Sequence, residues 1–150
     1  MNKDDSYFMK RALMQARIAM KYDEVPVGAV IVKDGVVISR AYNRRESSKD
    51  PLAHAELLAI RRASKRLGSW RLSGCTLYVT LEPCPMCSGA IMNARIPRVV
   101  YGASDPKAGT YGSVYDLNTY PVNHKPEVTG GIMREECSSI LSDFFKKKRS

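Results

Sequence analysis

The sequence has no long hydrophobic run, few cysteines and a shortage of acidic side chains. Its longest apolar stretch, Val25 to Val32, is interrupted by Pro26 and Gly28. It falls far short of the roughly 18 apolar residues that a membrane-spanning helix needs. The opening residues, Met1 to Asp5, are polar and lack the apolar centre of a signal peptide. Both readings point to a cytoplasmic location. Only four cysteines occur, Cys75, Cys84, Cys87 and Cys137. In a reducing cytosol they do not form a disulfide framework, so metal binding or core packing is expected of them. No internal repeat and no low-complexity segment interrupts the chain.

The acidic shortage leaves 24 Lys+Arg against 15 Asp+Glu, a formal charge of +9. An excess of this size draws polyanions to a surface, although a soluble basic protein with no nucleic-acid role has the same balance. The densest run, Lys146-Lys147-Lys148-Arg149, also suits the negative end of a helix dipole. A length of 150 residues fits one domain, 1–150, on the prior of roughly 100–200 residues each. Such a domain buries a real core without staples.

Local patterns give an order of elements. Asp4-Asp5-Ser6 caps a helix from about Tyr7 to Tyr22, with Phe8, Ala12, Ala16 and Ala19 on one face. Val27–Lys33 and Val36–Tyr42 read as strands joined by the tight-turn pair Asp34-Gly35. Asp50, followed by Pro51, is the expected N-cap of a second helix that runs to about Leu67 and stops at Gly68. Thr76–Leu81 reads as a buried strand, Pro85–Ala94 as a helix and Arg98–Tyr101 as a strand. Glu127–Thr129 is a short last strand, and Arg134–Lys148 the last helix. Strands separated by helices imply right-handed crossovers and a partly parallel sheet covered on both faces. The segment Ala103 to Pro126 is long for a compact domain. Such loops are usually functional or contain unrecognised helix.

Two short segments carry chemistry. One is His54-Ala55-Glu56, and the other is Pro83-Cys84-Pro85-Met86-Cys87. A Cys-x-x-Cys pair at a helix start brings two sulfurs to one point, where the dipole and free N–H groups favour thiolate. His54 supplies a third ligand as a neutral imidazole. Three protein ligands leave one tetrahedral position open, the mark of a catalytic zinc site, where bound water reaches a pKa of about 7. Glu56 suits a proton carrier better than a fourth ligand. Alone, the cysteines also read as a redox pair or half a structural zinc ribbon, and His54 as a capping or packing residue. Jointly the segments match the H-x-E … P-C-x-x-C signature of zinc deaminases. Cys75 and Cys137 lack zinc-like spacing and read as core. His124 reads as a surface or groove residue rather than a fourth ligand.

Beyond these segments the chain resembles the bacterial tRNA-specific adenosine deaminases, enzymes that act on a base flipped out of its stack. The resemblance runs from about Tyr7 to Phe145. It rests on Glu24-Val25-Pro26-Val27-Gly28-Ala29-Val30, on Asp50-Pro51 with His54-Ala55-Glu56, and on Leu77-Tyr78-Val79-Thr80-Leu81-Glu82-Pro83-Cys84. It continues through Arg98 to Ala103, Asp105 to Gly109 and Leu141 to Phe145. It implies a three-layer α/β/α cytidine-deaminase-like fold with a mixed, mostly five-stranded sheet, and a homodimer. His54, Cys84 and Cys87 would hold Zn2+, and Glu56 would be the general acid/base. Asn43 would bond the flipped nucleotide. Val27, Gly28 and Ala29 would wall the pocket, with Gly28 admitting the base to the backbone. Asp105 and Lys107 would face RNA at the mouth. The implied reaction converts the wobble adenosine in the anticodon stem-loop of a tRNA, that of arginine in this family, to inosine. Thr110-Tyr111 replaces two residues that are often small in the family, and Tyr111 is expected to stack on RNA or alter the groove edge. Two other functions fit the zinc segments: a deaminase of a free base such as guanine or cytosine, and a non-catalytic zinc-stabilised RNA-binding module.

Overall fold

The computed structural model describes residues 3–149. Met1, Asn2 and Ser150, counted in the expected domain, lie outside the described residues. Ten elements follow one another: α1 (Asp5–Lys21), β1 (Gly28–Lys33), β2 (Val36–Tyr42), α2 (Ala55–Leu67), β3 (Cys75–Leu81), α3 (Pro85–Ala94), β4 (Arg98–Ala103), a 3-10 turn (Leu117–Thr119), β5 (Glu127–Thr129) and α4 (Arg134–Arg149).

The strands form a mixed sheet in the order β2-β1-β3-β4-β5. β1 pairs antiparallel with β2 and β3, whereas β3–β4 and β4–β5 are parallel. The β1–β2 turn uses Asp34 and Gly35, both with positive φ (51° and 73°), which is the conformation a two-residue hairpin loop demands. Side chains alternate across the sheet. Ala29 and Ile31 of β1 face a cluster with Ala55, Ala59 and Ala63 of α2 and Ile91 of α3. Val30 and Val32 face Phe8, Met9, Ala12 and Leu13 of α1 with Cys137 and Ile140 of α4. The result is the expected three layers, with α2 and α3 on one face and α1 and α4 on the other. No helix among the described residues is long and apolar enough to cross a membrane.

Most elements lie where the sequence places them, and α2 is the exception. It begins at Ala55, not next to Asp50, and His54 is its N-cap. Asp50 instead accepts the N–H of Leu52 at 2.9 Å, a local side-chain turn that competes with helix. Gly68 ends α2 with φ 66°, as expected. The long segment after β4 is also structured. It contains the 3-10 turn and a bridge between Tyr111 and Asp116.

Candidate active site

Both zinc-signature segments lie at helix N-termini. His54 caps α2 and Cys84 caps α3, and neither side chain is spent on a capping hydrogen bond. Pro85 follows at a first-turn position of α3, where its missing N–H costs nothing. Cys87 lies inside the first turn. The parallel step from β3 through α3 to β4 holds this helix start against α2.

His54 Nδ1 lies 3.6 Å from Cys84 Sγ and 3.5 Å from Cys87 Sγ. The three ligand atoms all fall within 4.8 Å of one another. A tetrahedral ion with Zn–S of about 2.3 Å and Zn–N of about 2.0–2.1 Å separates nitrogen and sulfur by about 3.5 Å. The donor set and its spacing therefore fit zinc. It is the one such group of three among the described residues, so His124 is no fourth ligand. The His124 ring instead donates from Nε2 to the Ile96 carbonyl at 2.6 Å.

The sulfurs behave as a unit. The Cys87 thiol bonds to Cys84 and is the largest cause of the low Cys84 pKa, about 4; burial opposes it and His54 assists. The same bond, with burial, pushes Cys87 up. The bond to Cys84 also raises the imidazole of His54 above its ordinary value. A cation at this point displaces the remaining protons.

Glu56 is 4% exposed. Burial pushes its carboxyl up to about 7, against smaller lowering effects from its own backbone N–H and from His54. It lines a cavity of about 220 Å³ together with His54, Cys84, Val25, Val27 and Asn43. Arg45, Ala55, Leu81, Glu82, Asp105 and Ala108 complete the wall. Asn43 is buried. Its amide donates to the Val25 carbonyl at 3.2 Å, and its oxygen accepts the Arg45 N–H at 3.2 Å. One donor and one acceptor lone pair remain for a ligand.

Three expectations change. Gly28 does not open toward the cavity. A β-carbon there would fall 2.1 Å from the Ala12 carbonyl oxygen and 2.5 Å from the Ala16 nitrogen, so its missing side chain admits helix α1 on the opposite face of the sheet. Ala29 is fully buried in the α2-side core and is not among the residues lining the cavity. Tyr111 is 7% exposed and packs into that same core, so it offers no face to RNA. Lys107 is exposed beside Asp105, and its N–H bonds to Asp105 Oδ1 at 3.0 Å. Arg45, Leu81, Glu82 and Ala108 had no role in the sequence reading. Of these, all but Arg45 stand in motifs that carry the resemblance.

Comparison with known proteins agrees with this geometry. The model of the MafB19-like deaminase family matches residues 1–149. A tRNA-specific adenosine deaminase of Bacillus subtilis is 49% identical over 97% of this chain and 91% of its own length. The chain belongs to the tRNA-specific adenosine deaminases. A solved structure from work on A-to-I editing by tRNA:A34 deaminases at the wobble position is 47% identical, with a TM-score of 0.85. It covers 91% of this deaminase and 99% of its own chain. A guanine deaminase of Bacillus subtilis is 33% identical over 100% of this chain and 96% of its own, with a TM-score of 0.64. The buried Glu56 beside a His/Cys/Cys group is the arrangement a hydrolytic deaminase needs.

Proposed function

We propose that this deaminase converts the wobble adenosine of a tRNA, that of arginine, to inosine, using Zn2+ held by His54, Cys84 and Cys87. The observation that carries the reading is Glu56, buried and raised to about 7, on the same cavity wall as His54 and Cys84. When bound, zinc supplies Lewis acidity at an open tetrahedral position.

Glu56 takes a proton from the attacking water as its oxygen adds to C6 of adenine. The carboxyl then gives that proton to ring N1. It assists the second transfer that lets the amino group leave as ammonia. A group that titrates near neutrality serves both directions of transfer. The half-free amide of Asn43 offers one donor and one acceptor to the nucleotide. Val27 gives the ring an apolar wall. Asp105 and Lys107, on the loop after β4, face the RNA at the mouth.

The cavity of about 220 Å³ is smaller than the about 300–1,000 Å³ of drug-sized pockets. It suits one base turned out of an RNA loop, and anticodon loops present such bases. The adenosine-deaminase relatives also align more closely than the guanine deaminase does, at 47% against 33% identity. We place the enzyme in the cytoplasm with its tRNA. We read it as a homodimer, as its resemblance to the tRNA-specific adenosine deaminases implies. The test is incubation of the zinc-loaded protein with total bacterial tRNA, free guanine and free cytosine. Inosine at the wobble position supports the reading. Ammonia from a free base, with tRNA unchanged, contradicts it.

A further inference from the structure

Two buried carboxylates have no part in that chemistry. Glu24, in the turn after α1, is 0% exposed, and Glu82, after the end of β3, is 2% exposed. Neither makes a salt bridge among the described residues. Each is instead wrapped by a loop. Glu24 accepts the N–H of Glu46 at 3.0 Å, and the N–H and hydroxyl of Ser47, both at 2.5 Å. Glu82 accepts the N–H groups of Asp105 at 3.0 Å, Tyr111 at 2.9 Å and Ser113 at 3.2 Å, and also the Ser113 hydroxyl. Gly109 lies so close that a β-carbon there would fall 2.3 Å from the Glu82 carboxyl carbon.

The two loops leave the ends of β2 and β4. The strand order β2-β1-β3-β4 puts them on either side of the cavity. The first contributes Asn43 and Arg45 to its wall, and the second Asp105 and Ala108. A buried anion with no ion-pair partner is tolerated only when donors surround it, and at Glu24 the charge of Arg45 adds a smaller effect than burial and the bonds from Ser47 and Glu46. Here the donors are loop amides, so satisfying each carboxylate dictates the path of its loop. We propose that Glu24 and Glu82 are a pair of positioning residues, each shaping one wall of the base pocket before substrate arrives. Such preorganisation raises affinity by removing the cost of ordering a loop on binding.

The choice of substrate below rests on the deaminase reading; the claim about the loops does not. Glutamine tests it at constant shape. In both residues each carboxylate oxygen accepts at least one bond, so a glutamine NH2 must face an N–H donor. Walls bind substrate and transition state alike, so their loss raises KM and spares kcat. Glu24→Gln and Glu82→Gln should each retain zinc, raise KM for an anticodon stem-loop by about tenfold and leave kcat within about threefold. Amide hydrogen exchange supplies a readout that needs no substrate. Glu24→Gln should speed exchange at Glu46 and Ser47 and leave 104–113 unchanged. Glu82→Gln should speed exchange at Asp105, Tyr111 and Ser113 and leave 43–53 unchanged. Should a glutamine variant fail to fold, Ser47→Ala and Ser113→Ala remove one bond apiece and should show the same split, each in its own loop. Folded variants with unaltered exchange and KM overturn the proposal, as does equal loosening of both loops. A wild-type chain that makes no inosine refutes the substrate and leaves the exchange result to decide the loops.

Discussion

Glu56 and Gly28 show how one residue decides what its neighbourhood can do. Burial, more than any partner, moves the Glu56 carboxyl to about 7. Glu56→Gln keeps the size and leaves His54, Cys84 and Cys87 in place, and removes the group proposed to carry protons. Turnover should fall by about 10²–10⁴-fold with zinc content unchanged, measured by inosine yield and metal analysis on the same sample. Gly28 sits under the backbone of α1. Gly28→Ala should therefore cost about 1–3 kcal/mol or more in urea unfolding, since helix α1 must shift. A stability equal to wild type with altered substrate affinity would restore Gly28 to the pocket wall. The direction of Gly28 was hidden in the sequence because a glycine shows where space is needed and not for whom. The place of Tyr111 is hidden for a related reason: the bridge to Asp116 carries this loop residue into the core.

At the scale of elements, residues with local signals were legible. Asp-Gly between two apolar runs specified the hairpin, and Pro85 with Cys84 specified the start of α3. The start of α2 was not legible, because Asp50 and Pro51 imitate a helix cap while closing a turn. Also unread was the tie between α1 and the far strands. Asp5, in the first turn of α1, bonds Arg98 of β4 at 2.7 and 2.8 Å and accepts from the Tyr78 hydroxyl at 2.8 Å. Pairings across 93 residues leave no sequence pattern. The Arg98 hydrogen bond is the main reason the Asp5 carboxyl lies below its ordinary value; burial opposes it and Tyr78 adds to it. A carboxylate lowered in the folded state stabilises above its unfolded pKa and loses that contribution as pH falls through the folded value. Asp5→Asn should cost about 1.5–3 kcal/mol at neutral pH. The gap to wild type should shrink once the pH drops below about 3.9, the unfolded aspartate value. Urea titrations at a series of pH values check both parts, and a gap that widens on acidification would contradict them.

Over the whole molecule, the excess of +9 and the cavity describe an enzyme that meets a polyanion and works on one base of it. Three phosphate contacts would lower affinity for an anticodon stem-loop by about tenfold or more between 50 and 200 mM salt, measurable by fluorescence anisotropy; a flat response would remove the electrostatic part of the account. All of this depends on three side chains leaving one corner of a metal ion free. Zinc-edge X-ray absorption on the zinc-loaded protein is the most direct measurement of that. The account predicts two sulfurs at about 2.3 Å, one imidazole nitrogen at about 2.0–2.1 Å and one further light atom not supplied by the protein. A fourth protein ligand, or a loss of only one sulfur when Cys84 and Cys87 are both replaced by Ser, would contradict it.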